Sequence, residues 1–134
     1  MGIKFGVFVA SLGLLLSAVP ALAHHSFFAE FDANKPITLT GTVTKVEWQN
    51  PHTWFYIDVK DNSGGVVNWG LEMGSPNLLM RAGWARNSMK IGDVVTVEAS
   101  RAKDASNIAN AKSVILASTG QKLFAGSSQG QSPR

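Results

Sequence analysis

Residues 42–60 read Thr-Val-Thr-Lys-Val-Glu-Trp-Gln-Asn-Pro-His-Thr-Trp-Phe-Tyr-Ile-Asp-Val-Lys. Two strand-like runs flank one tight corner. In the second run Phe55, Ile57 and Val59 share one face, and Trp54, Tyr56 and Asp58 share the other, the period of a half-buried strand. The first run starts upstream, alternates through residues 37–43, and then slips. Val46 and Trp48 continue the apolar set on the opposite parity. One extra residue near Thr44 and Lys45 would return both halves to one face, which is the signature of a β-bulge. Gly41 suits a sharp bend, and a bent first strand is what a small barrel needs in order to close. Between the runs, Gln49-Asn50-Pro51-His52 forms the corner. Pro51 restricts Asn50 to extended geometry and cannot donate to a ladder.

Downstream, residues 61–65 are a hairpin loop, and Val67, Trp69, Leu71 and Met73 alternate in a third strand. Ser75 and Pro76 have the chemistry of a helix N-cap and first helical position. Residues 77–82 supply about two turns, Gly83 stops them, and Trp84 can fold back as a plug. Ile91-Gly92-Asp93 is a turn before a fourth strand marked by Val95, Val97 and Ala99. A polar loop at 103–107 precedes a fifth strand at 109–116, and residues 121–124 can form a sixth. The fold class is therefore all-β: a small five- to six-stranded OB-like barrel with one short helix between strands 3 and 4. A plain β-sandwich is the other arrangement these elements allow.

Upstream, Lys4 precedes a nearly uninterrupted apolar run at 5–18, Pro20 breaks it, and Ala21-Leu22-Ala23 is a small-x-small cleavage site. This is the pattern of a secretory signal peptide over residues 1–23, and the run is short for a membrane span. The expected organisation is signal 1–23, an aromatic and histidine arm 24–36, the barrel 37–125 and a disordered Gly/Ser/Gln tail 126–134. Localisation is expected to be periplasmic or secreted, with no stable membrane insertion after cleavage. The chain has no cysteine, so neither disulfides nor a lipid-modified cysteine is available. Removing 23 of 134 residues leaves 111, enough for one self-supporting core. Lys and Arg number 12 against 9 acids and are scattered, so nucleic-acid binding has no electrostatic footprint.

The segments HHSFFAEFD, GTVTKVEWQNPHTWFYIDV, NWGLEMGSP and MKIGDVVTVEASRAKD together resemble a family of small exported bacterial proteins classed only as a domain of unknown function. The marks of the resemblance are His24 and His25 before Ser-Phe, then Phe31-Asp32, and the Asn50-Pro51-His52 corner. It covers roughly residues 24–126 and is similar in layout to exported bacterial OB-fold proteins. It implies the fold and no activity.

The three histidines suggest a metal site. Cleavage after Ala23 would give His24 an amine and Nδ1 that chelate together, at a group whose proton metal displaces near neutral pH. His25 and His52 add imidazoles. An all-nitrogen set favours copper first and zinc second. Glu30, Asp32 and Asn50 are candidates for further ligands or for partners that orient an imidazole. The plainer reading leaves His24 and His25 as a frayed terminus, with His52 held by a ring hydrogen bond to backbone. A second candidate is an outward aromatic face of Trp54, Tyr56, Asn68 and Glu72, suited to a glycan, a peptide or a protein partner in the export compartment. We expect Phe27, Phe28 and Phe31 to cover Trp54 and Tyr56, since an apolar arm must bury itself somewhere. Catalysis has thin support, because there is no Cys nucleophile and Ser26 beside His25 is not a triad. A binding module is therefore expected rather than an enzyme, with redox chemistry at the same copper as the one enzymatic alternative.

Overall fold

Strand β1 (Phe31–Glu47) is 17 residues long and serves two neighbours. Its first part pairs with β4 (Val94–Ala102), and its second part pairs with β2 (Trp54–Lys60). The handover falls at residues 41–44. Gly41 and Thr42 still pair with Val95 and Val94, while Thr42 and Val43 already face Asp58 and Ile57. The register then skips Thr44, so Lys45 meets Tyr56. This is the bulge that the parity slip predicts, and it returns Val46 to the core side. Gly41 has no side chain because there is no room for one: a Cβ there would collide with the Asp58 carbonyl.

The computed structural model describes residues 26–126. A short helix α1 (Ser26–Glu30) leads into β1, and after β2 come β3 (Val66–Glu72), helix α2 (Pro76–Arg81), β4, β5 (Ile108–Leu116) and β6 (Lys122–Phe124). The sheet order is β3-β2-β1-β4-β5-β6, and β3 also pairs with β5 in parallel, closing the ring. A bent first strand, a helix between strands 3 and 4, and parallel closure of 3 on 5 make this an OB-like barrel. Among the described residues no helix is long and apolar enough to cross a membrane.

Inward positions alternate as the sequence indicates. Phe55, Ile57, Leu71, Met73, Val95, Val97 and Val114 are fully buried. Large side chains on β2 and β3 face small ones, Ala99, Ala109 and Ala111, on β4 and β5. Combining large with small side chains is how the interior of a small barrel is filled. Ser75 caps α2 by accepting from the Leu78 N–H, and Pro76 opens it. Trp84 folds back into the core and donates Nε1–H to the Phe124 carbonyl at 2.8 Å.

Two expectations require correction. The boundary between arm and barrel does not fall at residue 36, because Phe31 and Pro36 already pair with Ala102 and Ser100 of β4. The turn-forming residues between them are looped out within the strand, with the Asn34 N–H on the Asp32 carboxylate at 2.9 Å. Turn chemistry there makes a wide irregularity in a strand, and not a connector. The arm also does not cover the aromatic face. Phe27 and Phe31 pack on Ala102 as a small separate cluster, and Phe28 is 53% exposed. The predicted signal segment, His24, His25 and the tail from residue 127 lie outside the described residues.

Gly41→Ala forces β1 away from β2 at the handover. We expect it to cost roughly 2–4 kcal/mol in urea unfolding. A loss below about 1 kcal/mol would show that the bend does not need the close approach.

Candidate functional site

The corner between β1 and β2 turns through a cis Asn50–Pro51 peptide. Thr53 anchors it by reciprocal backbone bonds: its N–H donates to Gly74 at 3.0 Å, and its carbonyl accepts from Met73 at 2.8 Å. His52 is thereby held against the end of β3. Its Nδ1 lies 3.0 Å from the Met73 carbonyl and 3.4 Å from Glu72 Oε1. A carbonyl can only accept, so Nδ1 carries the proton. In the neutral ring the lone pair is then on Nε2.

Glu72 ends β3 on the outward face. The parallel pairing of β3 with β5 sets Asn110 opposite it, and the buried Asn110 amide donates to Glu72 Oε1 at 3.1 Å. Burial raises the Glu72 pKa above the ordinary carboxylate value. The charge of His52 opposes the rise, that of Glu30 adds to it, and the Asn110 hydrogen bond opposes it. Glu30, the last residue of α1, therefore stands close enough for its charge to be felt. Glu30, Gln49, Pro51, His52, Trp54 and Glu72 line one cavity of about 320 Å³.

The structure thus brings together His52, Glu30 and Glu72. Asn50 is exposed at the corner, and Asp32 is turned to its own backbone at Asn34. Among the described residues, no group of three or more His, Asp or Glu side chains is placed to hold a metal ion by itself. The contribution of His24 and His25 lies outside that set. Sequence reasoning missed Asn110 as the partner of Glu72. Its signal, a polar residue inside the apolar alternation of β5, is visible only once β5 is known to close on β3.

The second candidate set is also on one face. Trp54, Tyr56 and Asp58 pair across β2 and β3 with Glu72, Gly70 and Asn68. Trp54 and Tyr56 are half-buried. A Cβ on Gly70 would lie 3.2 Å from Tyr56 and 3.7 Å from Trp54, so both rings rest across the bare strand. Asn68 donates its amide to Asp58 at 2.9 Å.

Glu72 supplies a test of this geometry. The folded chain keeps its proton to higher pH than the unfolded chain does, so the ionised carboxylate opposes folding. That cost is absent below the unfolded pKa and grows as pH rises through it towards the folded value. Glu72→Gln keeps the acceptor for Asn110 and should raise the urea midpoint near about pH 7 but not near about pH 4. Equal effects at both pH values would contradict the buried-carboxylate assignment.

No curated protein matches the chain. Among solved structures it is similar to the mitochondrial single-stranded DNA binding protein Rim1 of S. cerevisiae. The TM-score is 0.49 at 13% identity, covering 65% of this chain and 94% of that one. Residues 12–111 match DUF6152, a family of unknown function, and over that span, most of its length, the protein belongs to this family.

Proposed function

We propose that the protein is an exported binding module that takes up a transition metal, copper before zinc, where the arm meets the Asn-Pro-His corner. His24, His25 and His52 are the nitrogen donors, and the residues at 1–23 are the export signal. One observation carries the reading: the His52 ring is oriented through Nδ1 by the Met73 carbonyl, at 3.0 Å. Metal-binding histidines characteristically donate their other ring N–H to a carbonyl or carboxylate, which fixes the tautomer and raises ligand basicity. Nε2 is then the free donor. The arm supports the same reading, because Glu30 lines the cavity with His52, and His24 and His25 precede α1 directly in sequence.

Glu30 and Glu72 contribute charge. Two carboxylates beside one cavity, one of them with its pKa raised by burial, gain from an added cation. An all-imidazole and amine donor set ranks Cu(II) above Zn(II). Export matters twice, because signal removal creates the His24 amine and because the compartment presents the metal to the apo-chain.

The test is mass spectrometry of the mature protein followed by Cu(II) titration. His24 should be the first residue, binding should be submicromolar, and His24→Ala and His52→Ala should each weaken it by at least about tenfold. Micromolar or weaker binding that neither substitution changes would contradict the proposal.

A further inference from the structure

The outward face of β2 and β3 continues into a trough that the metal reading does not use. Its floor is Trp54, Gly70 and Tyr56, and its walls are Glu47, Gln49, Asn68, Asn107 and Ile108, enclosing about 360 Å³. Beyond Trp54 and Ile108 it runs into a second hollow of about 450 Å³, bounded by Phe31 and the loop between β4 and β5. Lys103 ties that loop to the arm. Its backbone N–H donates to the Glu30 carbonyl at 2.8 Å, and its ammonium donates to the Phe28 carbonyl. The second hollow is therefore bordered by two elements bonded to each other.

We infer that this trough binds a neutral glycan chain, with pyranose rings lying flat on Trp54 and Tyr56. The floor is aromatic, and glycine at position 70 lets both rings lie across the strand, with the Lys45 ammonium over the Tyr56 ring at 5.5 Å from its centre. The two rings are two residues apart on one strand, roughly 7 Å, a spacing on the scale of one sugar ring. The polar walls are planar amides and a carboxylate, each able to donate to or accept from adjacent hydroxyls. An apolar floor with a few fixed polar groups is how a pocket orients a small polar ligand.

The surroundings favour a sugar over the other extended polymers. A polyanion needs free cations, yet Lys45 beside Tyr56 is paired with Glu47 at 2.6 Å, and Lys103 is held by the arm. An extended peptide needs a free strand edge. Here the outer edge of β3 is taken by β5 from Gly70 to Glu72, and the Gly70 N–H is on the Asn107 carbonyl at 3.0 Å.

Isothermal titration with the hexamers of β-1,4-linked glucose and of β-1,4-linked N-acetylglucosamine tests the inference. At least one should bind saturably, with Kd between about 10 μM and 1 mM. Trp54→Ala and Gly70→Val, the latter displacing the Tyr56 ring, should each weaken binding at least about tenfold, while Trp54→Phe retains most of it. Removing metal with chelator and replacing His52 by Ala should leave sugar binding unchanged, which keeps this test separate from the metal proposal. No saturable heat with either hexamer up to about 10 mM would overturn the inference. So would sugar binding indifferent to Trp54→Ala, or an oligodeoxythymidine or extended peptide binding through Trp54 more tightly than both sugars.

Discussion

The rest of the structure depends on the bend of β1 at residues 41–44. One strand must leave β4 and reach β2 without a break, and it can do so only if two conditions hold together. Gly41 lets the backbone of β2 come within contact of β1, and the extra residue at Thr44 resets the side-chain parity. Without the first, β1 and β2 separate at their crossing. Without the second, Val46 and Trp48 turn to solvent while the polar residues beside them turn inward. The bend fixes where β2 begins, so it also fixes the direction of the corner and the outward display of Trp54 and Tyr56.

Closure of the ring then brings distant residues together. The parallel contact of β3 with β5 is short, from Gly70 to Glu72 against Ile108 to Asn110. It has two consequences on one face: Asn110 is held against Glu72, and Ile108 with Asn107 is set beside Trp54. The polar pocket at the corner and the aromatic trough are therefore neighbours that share Trp54 as their common wall. The arm borders the corner pocket through Glu30 and the hollow that adjoins the trough through Glu30 and Phe31.

Much of the barrel was readable from the chain because its signals are local. A parity slip announces the bulge, Ser75 before Pro76 announces the helix, and alternation marks each strand. The start of β1 was hidden because Asp32 to Pro36 carries turn chemistry, which here serves a loop-out within a strand. The resting place of Phe27 and Phe31 was hidden because their partner, Ala102, is too small to mark a docking surface in sequence. At the site, His52 and its backbone partner were foreseeable in kind, since a rigid corner invites a ring-to-backbone bond. The Glu72–Asn110 contact was not, because a parallel pairing between residues 38 apart in the chain leaves no periodic trace.

The metal claim is most directly tested by pulsed electron paramagnetic resonance of the Cu(II)-loaded mature protein, which reads the remote nitrogen of each coordinated imidazole. Coordination through His52 Nε2 predicts imidazole modulation that loses one component in the His52→Ala protein. A signal from oxygen ligands alone, or one identical in the two proteins, would contradict it.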